Sequence, residues 1–124
     1  MRRISSGGPW ERRVGYSRAV VHNGMVHVSG TVAQGNEIPE DVVEQCQSAL
    51  AVIGKALAAA GTDFSHAVRV RYILPDPADF EPCWPVLAET FGDNPPAATM
   101  MVAGLIDDRF KIEIELDAAL PSGP

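Results

Sequence analysis

Ala19-Val20-Val21-His22-Asn23-Gly24-Met25-Val26-His27-Val28-Ser29-Gly30-Thr31-Val32 reads as two strands joined by a tight turn. Asn-Gly is a strong hairpin signal because both central residues of a type I′ turn need positive φ. After the turn, apolar and polar residues alternate. Val26, Val28 and Val32 face one way; His27, Ser29 and Thr31 face the other. The pattern predicts a hairpin with one core face and one polar face.

Outward from the hairpin, residues 33–37 form a Gly/Asn loop, and Pro39 sits at the first turn of a helix. Glu40 and Asp41 suit the positive end of its dipole. Val42, Cys46, Ala49, Leu50, Ile53, Ala56, Leu57 and Ala60 recur at spacings of three and four, up to a terminating Gly61. Residues 66–74 read as a strand, with Val68, Val70, Tyr72 and Leu74 opposite Arg69, Arg71 and Ile73. Asp79 is placed to cap a second helix running to Phe91, whose start Pro85 delays or kinks. Residues 97–105 make an apolar strand. In the last strand, 110–118, Ile112, Ile114 and Leu116 oppose Lys111, Glu113, Glu115 and Asp117. The order is β-β-α-β-α-β-β, with room for one more short N-terminal strand. The expected class is α+β, with two helices on one face of a mostly antiparallel sheet.

A chain of 124 residues, 46% hydrophobic and 21% charged, is sized for one compact domain spanning 1–124 and is too apolar for disorder. No apolar stretch approaches the roughly 20 residues that cross a membrane. The polar, Gly/Ser-rich start lacks the apolar core of a signal peptide, so a cytoplasmic location is expected. A net charge of −6 and the lack of any run of three Lys/Arg argue against a nucleic-acid partner. Cys46, Cys83, His22, His27 and His66 show no metal-ligand spacing, and no metal or other cofactor is expected. Cys46 reads as inert core, and Cys83 as structural. The second sheet face mixes Ser29, Thr31, Arg71, Glu113 and Glu115 with Ile73. Such a face is either solvated or buried against another subunit. Small domains often gain burial by cyclic assembly, so assembly is expected.

Several stretches resemble one family in register. They are Gly15-Tyr16-Ser17-Arg18-Ala19-Val20, Val28-Ser29-Gly30, Gln45 and Gln47, Asp79-Phe80, Pro96-Ala97 and Ile112-Glu113-Ile114-Glu115. Over about residues 9 to 120 the chain is similar to the RidA (YjgF) family. The resemblance implies a chorismate-mutase-like fold, a homotrimer, and clefts between subunits that take a small metabolite. In the family's imine deaminases, an arginine after Pro-Ala grips the carboxylate of a 2-imino acid, and a glutamate of the last strand helps position water. A guanidinium suits that task because it binds a carboxylate through two parallel hydrogen bonds.

Here the segment reads Pro96-Ala97-Ala98-Thr99-Met100, so Ala98 stands where the resemblance places the arginine. Met100 falls on a family cysteine and Trp84 on an asparagine. Tyr16, Ser29, Gly30 and Glu113 match the family's cleft residues. Glu113 is the candidate catalytic base. Tyr16, Ser29, Gly30, Arg71, Trp84, Ala98, Thr99 and Met100 are the candidate binding residues. Arg71, on the face of Ser29 and Glu113, either replaces the missing cation or pairs with Glu113 or Glu115. Two functions stay open: hydrolysis of an imine- or enamine-type compound that does not use the usual arginine, and a non-catalytic trimer that binds a metabolite or a pathway enzyme.

Overall fold

The computed structural model describes residues 1–121. Its strands are β1 (Arg2–Ile4), β2 (Ala19–His22), β3 (Met25–Thr31), β4 (Ala67–Leu74), β5 (Ala97–Val102) and β6 (Glu113–Ala119). Its helices are α1 (Pro9–Val14), α2 (Val42–Ala60) and α3 (Trp84–Phe91). The six strands form one sheet ordered β1-β2-β3-β6-β4-β5. All neighbours are antiparallel except β4 and β5, whose connection passes through α3. The class is the α+β fold expected, and β1 is the extra N-terminal strand.

The hairpin closes as the Asn-Gly pair dictates. His22 pairs with Met25, while Asn23 and Gly24 take φ of 52° and 75°. Asp41 caps α2 by accepting from the Glu44 N–H, so the helix starts after the acidic pair and not at Pro39. Gly61, at φ 94°, ends it and donates to the Leu57 and Ala58 carbonyls. The apolar stripe of α2 packs across β3 and β6, where Ile53 and Leu57 meet Val26, Ile112 and Ile114 in a core fully shut off from solvent. Burying one such side chain favours folding by about 1.5–3 kcal/mol.

Several local expectations are corrected. Asp79 does not cap α3; it ends a short 3-10 turn (Pro77–Asp79) capped by Asp76. A second 3-10 turn (Glu81–Cys83) follows, and α3 begins at Trp84. Pro85 occupies the first turn of α3, where its missing N–H costs no helical hydrogen bond. Val68 is half exposed and not core, because the β4–β6 register slips between Ala67 and Arg69. The strand expected over 97–105 stops at Val102, and all its residues are exposed. The last strand starts at Glu113 and not at 110. The segment 9–14, which carried no element in the sequence reading, is α1. Cys46 and Cys83 are both fully buried, and the bond from Cys83 together with burial pushes the Cys46 thiol up.

Candidate functional site

Glu113 opens β6, and an irregularity in the neighbouring strand decides its surroundings. Val28 pairs with Leu116 but Thr31 with Ile114, so three steps along β3 match two along β6. The bulge at Ser29-Gly30 reverses the alternation. Thr31 was expected on the polar face; instead it is fully buried and its hydroxyl donates to the Ser29 carbonyl at 2.7 Å. The bulge also puts Gly30 directly against the Glu113 carboxyl group. A Cβ at position 30 would lie 2.9 Å from both Cδ and Oε2 of Glu113. Only a residue without a side chain leaves the carboxylate its place. Burial raises the pKa of Glu113 above the ordinary value; the Glu115 carboxylate adds to this and the Arg18 guanidinium opposes it.

The floor beside Glu113 is built by residues that sequence reasoning missed. Glu11 on α1 is buried and accepts from Ser6 Oγ at 2.8 Å and Ser6 N at 3.1 Å. It also accepts from the Gly8 and Arg18 backbone N–H groups, each at 3.3 Å. Burial pushes this carboxyl group up, and the bonds from the Ser5–Gly8 segment more than offset it. Glu11 thereby fixes the N-terminal segment and the start of β2 in one place. Arg18 is 4% exposed. Its Nη1 donates to the Gly30 carbonyl and Thr31 Oγ1, both at 2.9 Å. Its Nε donates to Ser6 Oγ and its Nη2 to the Tyr16 hydroxyl, each at 3.3 Å. The signals for this cluster lay in the sequence. Pro9 and Glu11 mark a helix start, and Tyr16 and Arg18 share one side of an extended segment.

These residues bound a cleft of about 520 Å³. Tyr16, Arg18, Gly30 and Glu113 form its polar part; Trp10, Val14, Val32 and Phe110 form its apolar part. Ile106 stands at the lip, almost wholly exposed. Arg109 also borders the cleft, but Asp107 holds it by bonds of 2.9 and 3.0 Å from Nη2 and Nε. That pairing lowers the Asp107 carboxyl pKa to about 2.

Of the residues picked from sequence, Tyr16, Gly30 and Glu113 line this cleft together. Ser29 stands behind it, with its hydroxyl donating to the Ser17 carbonyl at 2.6 Å. Arg71, Trp84, Ala98, Thr99 and Met100 do not line it. Arg71 pairs with Glu115 at 3.0 Å and reaches Asp117 at 3.8 Å. Trp84 is 53% exposed at the start of α3, edge-on to Phe80. Ala98, Thr99 and Met100 lie on the edge strand β5, with Ala98 and Met100 level with Val70 and Tyr72, and Thr99 level with Arg71.

Residues 10–120 match the family described as Endoribonuclease L-PSP. The chain belongs to this family, RidA/YjgF. Among its relatives, the 2-iminobutanoate/2-iminopropanoate deaminase of Capra hircus is 32% identical over 120 residues, covering 93% of this chain and 88% of that protein. The mitochondrial protein mmf2 of Schizosaccharomyces pombe is 34% identical over 122 residues, covering 94% and 92%. A Mycobacterium tuberculosis member of the YjgF/YER057c/UK114 family superimposes with a TM-score of 0.87 at 36% identity, covering 96% of this chain and 98% of that one. The mixed α+β sheet with its main helices is therefore the RidA/YjgF architecture. Among the described residues, no helix is long and apolar enough to cross a membrane.

Proposed function

We propose that this RidA/YjgF chain forms a homotrimer whose inter-subunit clefts hydrolyse a small imine- or enamine-type metabolite, with Glu113 as the base. The observation that carries the reading is the Glu113 carboxyl group, half-buried in the cleft, seated against Gly30 and held with a raised pKa. A carboxylate in such a place takes a proton more readily than one in water. It removes a proton from water as the oxygen adds to the C=N carbon and the π electrons move to nitrogen. Glu113 returns that proton to the nitrogen; the hydroxyl proton of the tetrahedral adduct then passes to the nitrogen as the C–N bond breaks, so the amine leaves and a C=O bond forms. The deaminase name of the Capra hircus relative supports this reaction class.

Two observations support assembly. The candidate site residues fall into two sets in one chain: Tyr16, Gly30 and Glu113 in the cleft, and Trp84, Ala98, Thr99 and Met100 outside it. The second set lies on exposed, apolar surface, with Met100, Met101 and Val102 all open on β5. A neighbouring copy that lays β5 against the cleft completes one site from two chains. Ala98 then brings no charge, so the substrate is not gripped as in the ordinary 2-imino-acid deaminases. Arg71 does not replace that grip, because Glu115 and Asp117 engage it.

The test measures ammonia or carbonyl product from freshly generated imines and enamines, including short 2-imino acids, beside an arginine-containing family member. The expected result is turnover of some imines that Glu113→Gln abolishes, with the short 2-imino acids far slower than in the control. No acceleration of any of them beside an active control overturns the hydrolase reading. It leaves the second reading, a metabolite-binding or partner-binding trimer, which the loss of charge at Ala98 favours.

A further inference from the structure

Arg18 has a property that its structural role does not use up. A guanidinium carries five N–H donors. Ser6, Gly30, Thr31 and Tyr16 account for four of them. None of the ion pairs among the described residues includes Arg18. The Glu113 carboxylate feels this charge from beyond ion-pair distance, and a charge so buried and so loosely balanced is costly. It persists where the fold has a use for its field. The fifth donor sits on Nη2, beside the Tyr16 hydroxyl, which accepts from Arg18 and keeps its own proton for another acceptor. Both residues line the cleft.

The rest of the cleft defines what such an anion is attached to. Trp10 is 57% exposed, Val14 is 70% exposed, and Val32 and Phe110 complete an apolar wall. Arg109 is satisfied by Asp107, and Arg13 lies over the Trp10 ring, 4.9 Å from its centroid. Of the two arginines that line the cleft, Arg109 is paired with Asp107, and Arg18 makes no salt bridge among the described residues.

We propose that Arg18, with the Tyr16 hydroxyl, is the anion-binding group of this cleft, and that its ligand is a small carboxylate with a flat apolar body lying on Trp10, Val14 and Phe110. This rests on the reading of the cleft as the substrate site and names the substrate class for it. The acid group comes in from the Gly30 side, next to Glu113, and not from position 98. A carboxylate here is stabilised by a desolvated cation and two hydrogen bonds, each stronger than its counterpart in water. The apolar body supplies affinity through the area it removes from water.

The test compares phenylacetate, its neutral isostere phenylacetamide, and acetate on the wild-type protein. Binding is followed by calorimetry and by NMR shifts of the Trp10 indole N–H and the Gly30 amide. Phenylacetate is expected to bind and to shift both signals. Loss of a charge-assisted bond costs the amide about tenfold or more in affinity. Acetate, without the apolar body, loses a similar factor. Glu113→Gln removes a neighbouring negative charge, so it should tighten phenylacetate binding while abolishing any turnover. Arg18→Met should abolish the preference for acid over amide. If Arg18→Met does not fold, the wild-type acid–amide comparison decides alone. Equal binding of acid and amide, no binding of phenylacetate at millimolar concentration, or shifts that bypass Gly30 would each overturn the proposal. Turnover that depends on Glu113 but has no preference for acids would reject the Arg18 site and keep the hydrolase. An Arg18-dependent acid preference without turnover would do the reverse.

Discussion

Replacing Gly30 by alanine separates the position of Glu113 from the stability of the fold. The added Cβ would lie 2.9 Å from Cδ and Oε2 of Glu113 and 3.3 Å from Oε1, where ordinary contact begins at 3.4 Å. The carboxylate has to retreat by about half an ångström. Gly30 is not among the glycines at positive φ, so alanine meets no backbone strain there. It gains about 0.4–1 kcal/mol by restricting the unfolded chain. The atoms it meets are the end of a flexible side chain, and pushing that chain off its rotamer costs about 0.5–1.5 kcal/mol. The two effects nearly cancel, so the melting temperature should move by less than about 5 °C. Catalysis is less tolerant, because a misplacement near 1 Å at a reacting group costs about a hundredfold. Gly30→Ala should therefore fold like the wild type and lose about ten- to a hundredfold of imine turnover. Thermal unfolding and carbonyl release, measured on the same preparation, check both halves. Wild-type turnover would refute the role of Gly30 in seating Glu113. A loss of stability above about 3 kcal/mol would show that the Glu113 side chain cannot give way.

Three other substitutions test separate parts of the structure. The pKa of Glu113 is raised in the folded state, so the stability it contributes is complete below its ordinary value of 4.5 and is lost as pH rises through the folded value. Glu113→Gln should melt higher than the wild type at neutral pH, and the gap should close below about pH 4.5; a gap that widens in acid would contradict the burial argument. Gln45 is fully buried and joins Pro39 O, Arg109 O and Lys111 N at 2.7, 2.8 and 2.8 Å. Gln45→Leu leaves these groups unpaired and should cost about 2–4 kcal/mol in urea denaturation, whereas a cost below 1 kcal/mol would mean that water replaces the side chain. Arg71→Ala leaves Glu115 without its cation and Asp117 with only its His27 contact at 2.7 Å, on the face proposed for subunit contact. Sedimentation should show a weakened trimer; an intact trimer with altered ligand affinity would return Arg71 to the site.

The chain's own pattern settled much of the architecture. Asn23-Gly24 admits few turns, the stripe from Val42 to Ala60 fits one helical face, and Ile112, Ile114 and Leu116 fit one side of a strand. These signals are local and periodic, so they survive without knowledge of neighbours. Tyr16, Gly30 and Glu113 were also legible, through resemblance, as members of one cleft. The bulge was not, because it arises from pairing between β3 and β6, residues more than eighty positions apart. Alternation alone sent Thr31 outward, while the slipped register buried it. The sequence left Arg71 either to bind an anion or to pair with Glu113 or Glu115; pairing of β4 with β6 sets it against Glu115 and Asp117. Arg18 entered the sequence reading only as part of the stretch from Gly15 to Val20, with no role of its own. Only folding brings Ser6, Gly30 and Thr31 around it and sets its guanidinium beside Tyr16 in the cleft. Periodicity determines which side of an element is apolar; register between distant strands decides which polar groups meet, and hence where the chemistry of this chain sits.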